Sequence, residues 1–424
     1  MANRARILLA LTLITVSTAL PVAATTLDYR DFVAEVFDRH PRVLQQVANA
    51  KGKESEIASA RARRLPTIKV GGRYTSLNKE SSEISMQVPI YTFGRLTNEI
   101  ELKGEEYRLE NLRLLKVQNE VIAEATNLYL NYVYDLKKFG VLDNNYRELN
   151  QLLERIKRRR RTGYDSVADV NSAQSRVLQG KARADRLQIA LMSLLNEMSI
   201  LYGQDVSEVL PTPSDMFRLD KPSEITDLVM KQNPDILLAE QQVVIAERNE
   251  RAVRLNNRPS IDLIGSEDLQ NPFEDSGSIG VQMNYELENL GFSVIAGLKS
   301  AEYRKEAATQ AMANASQDTA IELSKTLNEL GAVSQQIVEQ QQIVKALKDT
   351  KTSFTRQYEA GRKSLMEVLN IYNELAEAEQ LLLDHERRQI GYEVKLYTLS
   401  GAIYLAALTD SLPDQISLLR SSGE

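Results

Sequence analysis

Along most of the chain, apolar residues recur at mixed three- and four-residue steps. Leu109, Leu112, Val117 and Val121 make one such run, and Ile337, Ile343, Val344 and Leu347 another. Steps of that size put the apolar side chains on one face of an α-helix. The segments around them are rich in Ala, Leu, Glu, Gln, Lys and Arg, all good helix formers. From Arg95 to Arg161 there is no proline, and Gly104 and Gly140 are the glycines. At 1.5 Å per residue a helix of that span is roughly 100 Å long. Val167 to Tyr202 runs back, and a second pair, Gly297 to Tyr358 and Ser364 to Leu399, repeats the arrangement. Helices well beyond ~25 residues predict coiled-coil or tubular packing rather than a compact globule.

Two stretches change period from helical to two. Ile68, Val70 and Tyr74 alternate with Lys69 and Arg73; after a polar turn at Leu77 to Ser82, Ile84, Met86, Val88 and Ile90 alternate with Ser85 and Gln87. Later, Ile261 and Leu263 flank Asp262, and Ile279, Val281, Met283, Tyr285 and Leu287 alternate with Gly280, Gln282, Asn284 and Glu286. This predicts two strands at about 66–91 and two at about 259–287. The pattern fits a half-buried sheet on a core. It also fits a barrel wall with lipid outside and water inside. Four strands cannot close a barrel, lipid does not tolerate open sheet edges, and bacterial barrels begin at about eight strands. If these strands span a membrane, several chains share one barrel, and three chains would supply about twelve strands.

The two halves of the chain echo each other. His40-Pro41 matches Asn233-Pro234, and Leu65-Pro66 matches Arg258-Pro259, at a shift of 193. Gly163, Ser166 and Asp169 match Gly361, Ser364 and Glu367, and Leu201-Tyr202-Gly203 matches Leu399-Ser400-Gly401, at a shift of 198. This is the signature of a tandem duplication, with the extra residues assigned between Pro259 and Gly291. In each copy a helix follows the first proline, Arg42 to Arg64 and Asp235 to Asn257; proline is accepted at a first helical position. The second prolines end these helices. The long helices turn sharply where four arginines, Arg158 to Arg161, precede Gly163. Arginine suits the negative end of a helix, and glycine suits the left-handed residue that closes it. The expected organisation is 1–24 a signal peptide, 25–203 the first repeat, 204–223 a linker, 224–401 the second repeat and 402–424 a tail.

The leader is read from Met1-Ala2-Asn3-Arg4-Ala5-Arg6, the apolar run Ile7 to Leu20 and the small residues that follow. A basic start, a short apolar core and a small-residue exit describe an export signal; the run is short of the ~20 residues that span a bilayer. Composition narrows the rest. The formal net charge of −6 gives no support to nucleic-acid binding. Cysteine is absent, which removes disulfides, thiolate chemistry and a lipid-bearing N-terminal cysteine. Two histidines, His40 and His385, lie far apart, and His385 sits in a charged helical stretch that reads as solvent-facing. With no metal-ligand cluster, phosphate loop or nucleophile–base pair, the chain is not expected to be an enzyme or to hold a cofactor.

Taken together, the leader, the His-Pro and Asn-Pro openings, the paired strands with their exit Val88-Pro89-Ile90-Tyr91-Thr92-Phe93-Gly94-Arg95, the duplicated hairpins and the Gly-x-x-Ser turns resemble the TolC family over nearly the whole mature chain. The resemblance implies a mainly α fold with a small β part. A long α-helical coiled-coil barrel would hang in the periplasm from a shared twelve-stranded transmembrane β-barrel, four strands per protomer, in the lipid of the outer membrane. It implies a homotrimer that meets a periplasmic adaptor protein and, through it, an inner-membrane ABC transporter or proton-driven pump. By the same resemblance Gly163, Ser166, Gly361 and Ser364 are adaptor-contacting tips, and Asp169, Tyr358, Lys363, Glu367 and Asn370 form a periplasmic gate. The family's Asp-Val-x-Asn-Ala stretch is similar to Asp169-Val170-Asn171-Ser172-Ala173, and its Asp-Val-Leu-Asp stretch to Glu367-Val368-Leu369-Asn370. The second acid of that stretch is Asn370 here, so Glu367 alone is left for a carboxylate ring.

On these assignments Asp169 and Lys363 are expected either to pair across the hairpins or to stand as two solvated charges. Glu367 is expected to ring a narrow pore and attract cations, or to cap its helix. Arg158 to Arg161 read as a solvated helix end, with contact to an acidic adaptor surface as the alternative. The expected function is a passive exit duct. The turn at Gly361 to Asn370 favours type I protein secretion, of an adhesin or toxin, over small-molecule or multidrug efflux. A soluble periplasmic coiled-coil scaffold is the alternative of another class.

Overall fold

The computed structural model describes residues 25–73, 81–211, 217, 222–268, 277–285 and 291–408. The leader, Tyr74, the turn before Ser81, Glu286 and Leu287, part of the linker including Pro213, and the tail beyond 408 lie outside the described residues.

In the first copy, α2 (Pro41–Ala62) leads into β2 (Thr67–Arg73) and β3 (Ser81–Tyr91), then α3 (Arg95–Arg161) and α4 (Val167–Tyr202). In the second, α6 (Pro234–Asn256) leads into β5 (Ser260–Asp268) and β6 (Ser278–Asn284), then α7 (Phe292–Glu359) and α8 (Leu365–Leu399). Equivalent caps start equivalent helices. The His40 ring accepts from the Arg42 amide ahead of α2, and Asn233 Oδ1 accepts from the Asp235 and Ile236 amides ahead of α6, each followed by proline. Gly94 and Gly291, at φ of 87° and 84°, open the two long helices in the left-handed conformation that glycine adopts without strain. The offset between equivalent residues is thus 197 here against 198 at the turns. One of the extra residues falls inside α7, which has 68 residues to the 67 of α3. This amends the expectation that all of them precede Gly291, and α7 also starts at Phe292 rather than Gly297.

The four long strands form one antiparallel sheet in the order β2-β3-β5-β6. Its register sorts side chains by face. Rungs Ile68–Met86–Gly265–Ile279 and Val88–Leu263–Val281 carry the apolar set, and Lys69–Ser85–Ser266–Ser278 and Pro89–Asp262–Gln282 most of the polar set. Ile68, Val70, Ile279, Val281 and Met283 are 65–86% exposed in one protomer. On the other face Asp262 is buried and its Oδ2 accepts from Gln87, Ser260 and Asn284. An exposed face that is apolar but for Glu267 beside Ile84, backed by a polar one, is a membrane barrel wall. Tyr91 and Phe93 meet edge to face at the strand-to-helix exit, 4.6 Å between ring centroids, with Tyr285 and Phe292 exposed at the equivalent exit. Aromatic rings favour that boundary between lipid and water.

Helices continue the order of the strands. Near the sheet the contacts run α2 to α3 to α6 to α7; toward the turns they run α4 to α3 to α8 to α7. Gln46 of α2 and Gln241 of α6 reach α3 from either side, each bonding the carbonyl and carboxylate of one glutamate, Glu110 and Glu105. The protomer is therefore one curved layer, four elements wide along its length, with free edges.

At the middle of the body the layer is thickened by elements absent from the sequence expectation: β1 (Thr25–Leu27), α1 (Tyr29–Arg39), β4 (Val206–Val209), α5 (Pro222–Gln232) and α9 (Ile403–Leu408). Strands β1 and β4 pair in parallel. Tyr29, Phe32, Tyr129, Phe217 and Ile403 are fully or almost fully buried there, and the Tyr129 hydroxyl donates to the Leu210 carbonyl at 2.5 Å. His385, expected to face solvent, is 8% exposed with its Nδ1 2.6 Å from Arg388; burial pushes its pKa down.

Candidate functional site

The end of the body farthest from the sheet is where the two hairpins turn. Helix α3 closes on Gly163 at φ 84°, with the Tyr164 amide donating to the Arg159 carbonyl. Helix α7 closes on Gly361 at φ 73°, with the Arg362 amide donating to the Gln357 carbonyl. Both returning helices start from a capping box. Ser166 Oγ accepts from the Asp169 amide while Asp169 Oδ2 accepts from the Ser166 amide; Ser364 and Glu367 do the same. The turns are joined by a shared apolar core of Leu149, Leu152 and Ile156 from α3, Val170 from α4, Tyr358 from α7, and Leu365, Val368 and Leu369 from α8. The two tips thus form one packed body.

A polar latch crosses this core. The Tyr358 hydroxyl donates to Asp165 Oδ2 at 2.8 Å, and Arg159 Nε donates to the same oxygen at 3.0 Å. The Arg159 guanidinium also lies 4.8 Å from the centroid of the Tyr358 ring and donates to the Glu359 carbonyl at 3.3 Å. Asp165, between the first turn's glycine and its cap, thereby ties its own helix end to the end of α7. Its side chain is 6% exposed and Tyr358 is 5% exposed, so the bonds are shielded from water. Burial, then the bond to Asp165, pushes the Tyr358 phenol well above its ordinary value. Arg155 adds an ion pair to Glu359 at 3.1 Å. One turn further along the returning helices, Arg176 of α4 donates to Asn370 Oδ1 of α8 at 3.2 Å. A heptad on, Arg183 reaches Asn373 and Glu377.

Of the residues named from sequence, Tyr358 and Asn370 make contacts between the hairpins. Asp169 and Lys363 do not pair with each other. Asp169 is taken by its own cap, and Lys363 lies 2.5 Å from Glu367 and 4.2 Å over the Phe354 ring, within the second turn. The ion pair that joins the two tips is Arg155 to Glu359 instead, beside the Tyr358 bond to Asp165 and the Arg159 bond to the Glu359 carbonyl. The Lys363 bond, followed by the bonds from Ser364, holds the Glu367 carboxyl down at about 2, so it is ionised while remaining exposed. Gly163, Ser166, Gly361 and Ser364 are all exposed at the extremity. Asp165 and Arg176 were missed, and Arg159, read with its neighbours as a solvated helix end, is bonded to Asp165 and the Glu359 carbonyl. One signal was available: the shift of 198 that aligns the turns sets Asp165 opposite Lys363, an acid against a base at equivalent positions.

Among the described residues no group of three His, Cys, Asp or Glu side chains is placed to hold a metal ion, and no helix is long and apolar enough to cross a membrane. What this end offers is a junction of two hairpins built from breakable side-chain bonds.

Comparison with known proteins places this geometry in context. The family model described as outer membrane efflux protein matches residues 33–197 and 225–402. The solvent efflux pump outer membrane protein SrpC of Pseudomonas putida is 26% identical over 367 residues, covering 80% of this chain and 78% of that protein. The cation efflux system protein CusC of Escherichia coli is 23% identical over 342 residues, covering 78% and 74%. Among solved structures, CusC superposes with a TM-score of 0.78 at 20% identity, over 89% of this chain and 93% of the other. The open state of the Neisseria gonorrhoeae MtrE outer membrane channel gives 0.74 at 19%, over 90% and 89%.

Proposed function

We propose that this chain, which belongs to the outer membrane efflux protein family, is the passive exit channel of a tripartite pump that expels small molecules or metal ions. It resides in the outer membrane with its helical body in the periplasm, so a soluble scaffold is set aside. The observation that carries the reading is the four-element layer that runs unbroken from a lipid-suited sheet to a latched tip. Three copies of that layer supply twelve strands and twelve helices around one axis, with the polar sheet face inward. A periplasmic adaptor meets the tips at Gly163, Ser166, Gly361 and Ser364, and an inner-membrane transporter supplies the energy. Tyr358, Asn370, Asp165 and Arg159 hold the gate shut, and Glu367, beside Lys363, sets its charge. Asp169 acts there as a helix cap.

The cargo preference changes from that drawn on the turn sequence. Type I secretion rested on the stretch around Gly361. The relatives matched over most of the chain are pumps named for solvents, toluene and cations, and efflux fits them better. Deleting the gene tests the choice. Efflux predicts at least a fourfold fall in the inhibitory concentration of organic solvents, dyes, or copper and silver salts, restored by the intact gene. Unchanged tolerance together with a lost extracellular protein would return the function to secretion.

A further inference from the structure

Four arginines end α3, whereas the last turn of α7, its counterpart in the second copy, holds one basic residue, Arg356. One therefore suffices to complement the helix dipole at this kind of turn. Arg159 is committed to the latch. Arg158, Arg160 and Arg161 are exposed, and none lies within ion-pairing distance of a carboxylate among the described residues. They gather three such bases within one turn at a single helix end, in a chain of net charge −6. Beside them is a cavity of about 240 Å³ lined by Leu152, Arg155, Arg158, Arg159, Tyr358 and Glu359. On the other side Tyr164 is 78% exposed, its ring 5.7 Å from the Arg159 guanidinium. Arginine and tyrosine gathered on one exposed site are the composition of a protein-binding hot spot.

We propose that this cluster is a docking site for an acidic surface of the periplasmic adaptor, with a partner carboxylate seated in the cavity beside Arg155 and Arg158. The inference rests on the reading of the tips as the docking end, and adds to it the sign of the partner's charge and the tip that selects it. Lipid of the membrane that holds the sheet is out of reach, because α3 separates the cluster from the sheet by roughly 100 Å. Arg159 belongs to both the cavity and the latch, so a carboxylate bound there competes with Asp165 and weakens the hold on Tyr358.

The test is made in cells, in the full-length protein. Ala168, beside the first tip, and Met366, beside the second, are replaced one at a time by the photo-crosslinker p-benzoylphenylalanine. Both positions are expected to capture a periplasmic protein, and the segment captured at 168 to be net acidic by mass spectrometry. Arg158→Glu, Arg160→Glu and Arg161→Glu together should lower the yield at 168 at least tenfold, and acid-to-lysine changes in the captured segment should restore it. Single-channel conductance of the purified variant checks its assembly; if the glutamate variant fails to assemble, the triple glutamine variant takes its place. A neutral or basic segment, or a yield unmoved by charge reversal while position 366 still captures, overturns this inference alone. Failure of both positions to capture any periplasmic protein overturns the docking reading of the tips, and this with it.

Discussion

At the scale of single residues, the junction of the two turns, which we propose as the gate, depends on a carboxylate and its donors rather than on the pair suggested by charge alone. Asp165 accepts from Tyr358 and Arg159 in a shielded site, where a hydrogen bond to a charged group contributes about 1.5–3 kcal/mol. Tyr358→Phe removes one donor and leaves the ring against Arg159; single-channel conductance in planar bilayers should rise modestly. Asp165→Ala removes both bonds and leaves Arg159 only the Glu359 carbonyl and the Tyr358 ring, so conductance should rise further; conductance equal to that of the parent in both variants would discard the latch. Glu367 behaves differently because its carboxyl is held at about 2, by Lys363 first and Ser364 next. A carboxylate depressed in the folded protein contributes fully above its unfolded value, about 4.3, and loses that contribution as pH falls through the folded value. Cation selectivity due to Glu367, read as the reversal-potential shift on Glu367→Gln, should therefore be the same at pH 7 and pH 4 and fade only toward pH 2; a shift already halved at pH 4.5 would contradict this. The capping boxes and turn glycines were legible because each is local: a serine, an acid three residues on, a glycine after a basic helix end. Arg159 and Asp165 were not, because their role depends on Tyr358 of the other hairpin, 193 residues from Asp165.

At the scale of elements, period and face decided what could be read. The strands were legible because one face is apolar along all four except at Glu267, and the register sets those faces side by side. The short parallel pair of β1 and β4 was not, since three residues at Thr25–Leu27 carry no period and their partner is far along the chain. Face assignment makes a sharp prediction. Val281 is 67% exposed on the apolar face, and its neighbour Gln282 pairs with Asp262 on the polar one. Arginine on a lipid face costs about 2–4 kcal/mol near the bilayer midplane and little at a lumen position. Val281→Arg should thus cut the amount of heat-resistant assembly recovered from outer membranes, while Gln282→Arg should leave it near the parent level. Equal recovery would mean that the sheet does not face lipid on its apolar side.

At the scale of the molecule, the free edges decide what the chain must do. A layer four elements wide ends on α4 at one side and α7 at the other in its lower half, and these two make no substantial contact within the protomer. Their outer surfaces carry Leu178, Ile189 and Met192 on α4 and Ile321, Val338 and Ile343 on α7, all 47–65% exposed. An apolar edge of one kind facing an apolar edge of another is a heterologous interface, which closes into a ring when the curvature permits. The latch sets both turns at one level, so height above the tip can be counted in residues. Leu178 lies 15 positions from Gly163 and Ile343 lies 18 from Gly361, a difference of only ~5 Å along the helices. The chain has no cysteine, so thiols placed at these two positions are the only ones present. A short bismaleimide applied to the Leu178→Cys, Ile343→Cys double variant should give covalent dimers and trimers on a denaturing gel and nothing larger, with neither single variant forming a ladder. A product that stays monomeric would leave the lipid-facing sheet with open edges, which the bilayer does not permit, and the channel reading would fall with the ring.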